Sequence, residues 1–386
     1  MQDLLNVYLN NDLIGYLNKD DNGGFSFQYD KDAEQPLSIS LPLREDSFTN
    51  KECRGFFNGL LPESEQVRVN IGKRYGINPK NDFSILNAIG YDCAGAVSFF
   101  KDMPKNLKEF YKLEGQILTD DELEKYIKEL PRKPLALGSD KRLSLAGAQD
   151  KTAVILIDNK IALPDSNVPS THILKPAIDG FLESIENEYI CMKVAEKLGI
   201  QVPVVHIDSV NDTKYFLIER YDRVIADETV KRVHQEDFCQ ASNIPSAYKY
   251  QAEGGVDYKM CIDILKKTTT PASAIKRFID LMIFNYLIGN NDAHGKNFSL
   301  LHYANDNIVF APAYDILCTS VYPELSNKMA MKIGGYYEAS KIYPRHFERM
   351  SKELEISNTQ IKKVLKKQCE ILPDIVKEVS NSFDNN

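Results

Sequence analysis

Asp292-Ala293-His294-Gly295-Lys296-Asn297, followed by Ala313-Tyr314-Asp315, is the stretch on which the reading of this chain turns. Asp292 and Asn297 stand in D-x-x-x-x-N spacing. In a phosphoryl-transfer loop of that form, the Asp accepts the proton of the attacking hydroxyl and the Asn holds a magnesium ion. A second carboxylate has to grip the metal, and Asp315 is placed for it. Between them, Phe298 to Tyr303 and Ile308-Val309-Phe310 read as two short strands around the turn residues Asn305-Asp306-Asn307. Such a hairpin carries the chain out and returns Asp315 towards Asn297. One Asn, one Asp and a nearby base suit magnesium, which keeps phosphate and water in its other positions. The same residues are also ordinary loop composition, so the motif needs support from the rest of the chain.

Support comes first from the residues upstream. Ala274 to Gly289 repeats Ile275, Phe278, Ile279, Met282, Ile283, Tyr286 and Leu287 at helical spacing, which predicts a core helix leading into the loop. Thr171-His172-Ile173-Leu174-Lys175-Pro176 reads as a strand ending on a lysine that can reach nucleotide phosphates. A helix from Ile185 to Leu198, stopped by Gly199, carries Glu188, which either pairs with Lys175 or is simply a solvated carboxylate favoured by the helix dipole. Ala146, Gly147 and Ala148 precede the strand Ala153 to Ile157. They allow backbone N–H groups to approach a phosphate, although a tight turn explains them equally well. Val202 to Ile207 and Lys214 to Ile218 read as strands. The second runs into Glu219-Arg220-Tyr221, a link of the kind whose backbone holds an adenine.

Bulk properties narrow the classes. At 386 residues the chain exceeds one ordinary domain, and 43% hydrophobic residues suffice for buried cores. A formal net charge of −8 argues against free nucleic-acid binding by the whole molecule. The seven cysteines include no C-x-x-C pair, so neither a zinc site nor a disulfide framework is indicated. No apolar run is long enough for a membrane span, and Met1-Gln2-Asp3-Leu4 does not begin a signal peptide. The expectation is a cytoplasmic protein without membrane contact.

The division expected is residues 1–103, 104–134, 135–225 and 226–386. The first unit opens with a hairpin, Leu5 to Leu9 and Leu13 to Leu17. A third strand follows at Phe25 to Tyr29 and a fourth at Ile39 to Leu43, then helices over Ser64 to Tyr75 and Asp82 to Ile89. It shows no catalytic constellation and reads as a packing or partner-docking domain. Residues 104–134 read as a charged connector with one exposed helix. The third segment is a β-rich lobe. The fourth is an all-helical lobe, in which Lys341 to Lys352 and Ile361 to Lys367 form helices basic on one side. The fold class is α+β, with two lobes as in protein kinases and an extra N-terminal subdomain.

Taken together, the segments resemble the HipA family of serine/threonine-kinase toxins from toxin–antitoxin systems. The resemblance runs over nearly the full length. It rests on Phe56-Phe57-Asn58-Gly59-Leu60-Leu61-Pro62-Glu63, Gly90 to Val97, Ser144 to Thr152, Thr171 to Pro176, Gln235 to Gln240, Gly289 to Phe298, Tyr314-Asp315 and Lys341 to Phe347. It implies that Ala146, Gly147, Ala148, Gln149, Asp150, Lys151 and Lys175 bind ATP phosphates and that Glu219, Arg220 and Tyr221 form the adenine hinge. Asp292 is then the catalytic base, with Asn297 and Asp315 as magnesium ligands. His294, Gly295, Lys296 and Tyr314 complete the nucleotide site. Ser144 matches the family's autophosphorylated serine, where a phosphate adds negative charge beside an anion-binding loop. The resemblance further implies a HipB-like helix-turn-helix antitoxin, operator DNA reached mainly through that complex, and glutamyl-tRNA synthetase as substrate, with growth arrest and persistence as the outcome. Two alternatives from the same reading are a different translation-related substrate and a corepressor with vestigial kinase activity. The chain departs from the family pattern at Asp150, commonly Glu, at Ala293, commonly Gly, and at Glu355, where a basic residue is expected near DNA.

Overall fold

The structure is a computed structural model that describes residues 3–20, 24–102, 107–108, 110–130, 150–165, 168–226 and 228–384. The first hairpin forms as its alternation requires. Leu4–Leu9 pairs antiparallel with Asp12–Lys19 across a turn in which Asn10 takes a left-handed φ of 56°, a conformation Asn tolerates. Phe25–Tyr29 adds to one edge and Val97–Phe100 to the other. The expected strand at Ile39 to Leu43 is not formed, and only a Ser38–Leu41 bridge remains. Pro42 brings no N–H to a ladder, and the Ser38 hydroxyl and Ile39 N–H instead donate to the buried Glu236 carboxylate. Helices Asn50–Gly59, Glu65–Tyr75 and Asp82–Ile89 cover the sheet, with Phe56 and Phe57 fully buried between the layers.

A six-stranded sheet forms the second lobe. Its order is Val205–Val210, Thr213–Glu219, His172–Pro176, Thr152–Ile157, Lys160–Pro164 and Gly115–Ile117. The last strand corrects the expectation for residues 104–134. Gly115–Ile117 pairs antiparallel with Lys160–Pro164, and Tyr111–Lys112 pairs with Thr229–Arg232. Helix Asp120–Glu129 is not an exposed connector either, because Leu123, Tyr126 and Ile127 are buried against the sheet. Their i, i+3, i+4 spacing is an apolar stripe in a segment whose charges dominate its composition.

The C-terminal half is mostly helical rather than all-helical. Helices Tyr258–Leu265, Pro271–Leu287, Pro344–Glu353 and Asn358–Asp384 share the largest core with two small sheets. One sheet joins His234–Asp237 to the expected hairpin, Ser299–Tyr303 with Asn307–Phe310. The basic helix expected at Lys341 begins at Pro344, since Pro fits a first helical position. Ile361 to Lys367 lies inside the longer helix Asn358–Asp384. Among the described residues, no helix is long and apolar enough to cross a membrane.

The N-terminal unit is locked to both lobes by buried charges. Arg223 donates to Asp92 at 2.7 Å and Arg220 to the Cys93 carbonyl at 3.1 Å, while Lys249 of the helical half donates to Glu63 at 2.8 Å. Gly55 lies so close to the Asn243 backbone that a Cβ would sit 2.1 Å from its carbonyl carbon, so only glycine fits this junction. His234 seals the same seam, its Nε2 2.7 Å from the Leu37 carbonyl oxygen.

Burial lowers the His234 pKa to about 4. The unfolded chain therefore binds more protons than the folded one between pH 6.5 and 4, and stability is lost as pH falls through that window. His234→Gln is expected to flatten the pH dependence of unfolding free energy near pH 5 by about 1 kcal/mol per pH unit, measured by urea denaturation against the wild type.

Candidate active site

Helix Pro271–Leu287 is buried along most of its length and delivers the chain to Gly289, whose φ of 73° ends the helical path. The loop that follows is held by its own side chains. Asn290 Oδ1 accepts from the Asp292 N–H at 3.1 Å, and Thr319 Oγ1 accepts from the Asn291 N–H at 2.8 Å. Asn297 Nδ2 donates to the Asp292 carbonyl at 3.0 Å, closing the loop on itself. A Cβ on Gly295 would stand 2.8 Å from Cys239 Sγ and from Val256, so the glycine lets the loop lie against the core. The Tyr314 hydroxyl donates to the Lys296 carbonyl, which ties the segment after the hairpin to the same loop.

Asp315 does return to the site. Its Oδ1 accepts from Lys175 Nζ at 2.7 Å, and the same ammonium donates to Glu188 Oε1 at 2.7 Å. Lys175 and Glu188 are each only 3% exposed, so Glu188 is a partner of the lysine and not a solvated helix-start carboxylate. Burial alone would lower the Lys175 pKa, but Asp315 and Glu188 outweigh it and hold the lysine above its ordinary value. Burial likewise opposes ionisation of Asp315, yet the Lys175 and Lys151 ammonium groups bring it well below the usual carboxylate range. Asp315 thus stays charged at any ordinary pH. Its φ of 57° is an uncommon conformation for a residue with a side chain, and such strain is held by surrounding contacts at functional sites.

Asp292 presents its carboxylate to the cleft, with the side chain 43% exposed. The Tyr250 hydroxyl donates to its Oδ1 at 2.6 Å. Crowding by protein raises the Asp292 pKa, against the Tyr250 hydrogen bond and the Lys249 ammonium, which lower it. His294 Nε2 is 4.0 Å from Asp292 Oδ2, and burial brings the His294 pKa down to about 3, so the imidazole is neutral. Because Asn297 uses its amide nitrogen on the Asp292 carbonyl, its Oδ1 is the atom available to a cation. With the ionised Asp315, that gives two oxygen donors and no thiolate or imidazole ligand. Such a donor set suits magnesium, and among the described residues no cluster of three or more His, Cys, Asp or Glu side chains suggests another metal.

These groups face one cleft of about 870 Å3 between the lobes. Asp150, Lys151, Lys175, Glu219, Tyr221, Asp292, His294, Asn297, Tyr314 and Asp315 all line it. Arg220 and Lys296 line it as well, but their charged ends are paired away from it. The Arg220 guanidinium is turned to Asp222, Ser170 and the Cys93 carbonyl, because its charge is buried and must be paired there. The Lys296 ammonium donates to Asp237 at 2.7 Å and to the Gly59 carbonyl at 3.1 Å, so it fastens the loop to the N-terminal unit. Gly295 packs against the core as described. Ser144, Ala146, Gly147, Ala148 and Gln149 lie outside the described residues.

Sequence reasoning missed Tyr250, Lys249 and Glu63. Glu63 belongs to the N-terminal unit, where no catalytic constellation was expected, yet it lines the cleft and accepts from Lys249 at 2.8 Å. Nothing in the spacing around Tyr250 marks it, since its role depends on a fold that brings it to a loop distant in sequence.

Comparison with known proteins shows the family of the chain. Residues 5–100 match the family model described as the HipA N-terminal domain, and residues 143–376 match the HipA-like C-terminal domain. The chain is 38% identical to "Putative kinase Y4mE" of Sinorhizobium fredii, covering 98% of this chain and 93% of that protein. It is 29% identical to the serine/threonine-protein kinase toxin HipA of Shewanella oneidensis, covering 88% of this chain and 80% of the toxin. The fold superposes with a TM-score of 0.84 on a chain from the Shewanella oneidensis HipA, HipB and operator DNA complex. That match has 27% identity and covers 97% of this chain and 90% of the other.

Lys175→Met removes the cation between two carboxylates, one of them fully enclosed. It is expected to lower stability by roughly 3 kcal/mol in denaturant titration, because an unpaired buried charge remains. Lys175→Met combined with Glu188→Leu, which removes the enclosed charge as well, is expected to recover much of that loss.

Proposed function

The chain belongs to the HipA family, and from that premise we propose that it is an ATP- and magnesium-dependent serine/threonine protein kinase. The observation that carries the reading is the convergence on one cleft of Asp292, Asn297, Asp315 and the Lys175–Glu188 pair. The Glu219–Tyr221 backbone borders the adenine. Lys175 and Lys151 set positive charge against the phosphates. Asn297 Oδ1 and the Asp315 carboxylate would hold a magnesium ion, which when bound would neutralise charge developing on the phosphate oxygens. Asp292 Oδ2 faces the incoming hydroxyl and receives its proton as that oxygen attacks the γ-phosphorus. The raised Asp292 pKa, caused by burial, makes the carboxylate a better base than a free aspartate.

The finer reading follows from likeness. A HipB-like antitoxin and operator DNA reached through it are the proposed partners, supported by the match to the Shewanella complex. The proposed acceptors are Ser144 of the chain itself and glutamyl-tRNA synthetase. A different component of translation is the second choice of acceptor, because the surface that selects a protein substrate varies independently of the catalytic residues. The setting proposed is the cytoplasm, with growth arrest as the outcome.

Incubation with ATP and magnesium followed by intact-mass measurement tests this. The wild type is expected to gain a phosphate that Ser144→Ala does not gain. Asp292→Asn is expected to slow transfer by about 10²–10⁴-fold, the usual contribution of a positioned base. Unphosphorylated wild type that gains nothing, and that leaves the synthetase unmodified, would exclude these two acceptors.

A further inference from the structure

One contact to Asp292 has no place in the scheme above. The Tyr250 hydroxyl donates to Asp292 Oδ1 at 2.6 Å, while Oδ2 has His294 Nε2 no nearer than 4.0 Å. One carboxylate oxygen is therefore occupied and the other is left to the cleft. The tyrosine ring stands edge-on to His294, with centroids 5.2 Å apart, so ring and hydroxyl are both fixed against the catalytic loop.

Tyr250 reaches that position on a braced turn. Its carbonyl accepts from the N–H groups of Glu253 at 3.0 Å and Gly255 at 2.9 Å. The neighbouring Gln251 side chain accepts from the Lys332 N–H at 2.7 Å. On the other side, Lys249 donates to Glu63 at 2.8 Å, and both of these side chains are largely buried. The turn is thus held to the helical half at one end and to the N-terminal unit at the other.

We propose that Tyr250 is the positioning residue of Asp292, holding Oδ1 so that Oδ2 alone meets the acceptor hydroxyl, and that the Glu63–Lys249 pair anchors this hold in the N-terminal unit. The proposal rests on Asp292 being the base. A carboxylate without a fixed partner rotates about its last bond and presents either oxygen. A hydrogen bond to a charged group is strong enough to select one orientation. Burial and the Asp292 charge keep the Tyr250 pKa well above that of free tyrosine, so the hydroxyl retains its proton and acts only as donor. During transfer, the acceptor oxygen forms its bond to the γ-phosphorus as the bond from that phosphorus to the bridging oxygen of ADP breaks. The acceptor proton passes to Asp292 Oδ2, and the Tyr250 proton stays where it was. On this account the N-terminal unit, beyond packing, helps to set the direction of the base.

The test compares the full-length wild type with Tyr250→Phe, Tyr250→Ala and Lys249→Met, measuring ADP release, ATP affinity and Tm. Tyr250→Phe keeps the ring against His294 and loses only the hydroxyl. It is expected to lower kcat by about tenfold to a hundredfold, with ATP affinity within about twofold of wild type and Tm unchanged. Tyr250→Ala is expected to show at least the same loss of kcat together with a lower Tm. Lys249→Met is expected to lower kcat by about threefold or more at unchanged ATP affinity. Tyr250→Phe at the wild-type rate, or with rate, ATP affinity and Tm all reduced together, would overturn the positioning role. Lys249→Met at the wild-type rate would overturn the anchoring by the N-terminal unit. A wild type that releases no ADP would sink the kinase reading itself, and this proposal with it, before any variant is compared.

Discussion

The buried ammonium of Lys175 is the constraint around which the cleft is arranged. An ammonium with so little access to water is tolerable only with close anionic partners, and it has two, each at 2.7 Å. Glu188 comes from helix Ser184–Leu198 and Asp315 from the segment after the hairpin. The pairing therefore fixes the sheet that bears Lys175, the helix behind it and the segment that bears Asp315 in one geometry. Because both carboxylates answer to one cation, Asp315 stays charged, and the charges of the proposed phosphate site are in place before any ligand arrives. That preorganisation is how a phosphoryl-transfer site reduces reorganisation during the reaction.

The second organising feature is the seam with the N-terminal unit. Its buried Asp92 meets Arg220 and Arg223, and its Gly59 carbonyl takes the Lys296 ammonium from the catalytic loop. Buried charges of this kind contribute little net stability compared with an apolar seam, but breaking one partner is costly, so they fix register. A unit attached in this way cannot drift relative to the cleft without exposing unpaired charge. Arg220 and Lys296 were both expected to serve a nucleotide. The structure gives their charged ends to the seam, and both residues still line the cleft.

Much of this was legible along the chain. The hairpin from Ser299 to Phe310, the helix leading to Gly289 and the strand carrying Lys175 all follow from alternation, helical spacing and turn residues. Local pattern failed where partners are distant. Gly115–Ile117 is too short to announce itself, and it becomes a strand only because Lys160–Pro164 offers an edge. Ile39 to Leu43 has strand composition, but Glu236, far along the chain, takes the donors a ladder would use.

The sequence by itself determined the groups available: two carboxylates and an amide at phosphoryl-transfer spacing, and a strand lysine within an α+β chain of family-specific motifs. Only the tertiary structure decided that Glu188 partners Lys175, that Tyr250 holds Asp292, and that Glu63 reaches the cleft from the N-terminal unit. The physical reason is range. Periodicity and spacing report interactions within a turn or a strand pair, whereas a buried charge takes whatever partner the packed chain brings within about 3 Å, however distant in sequence.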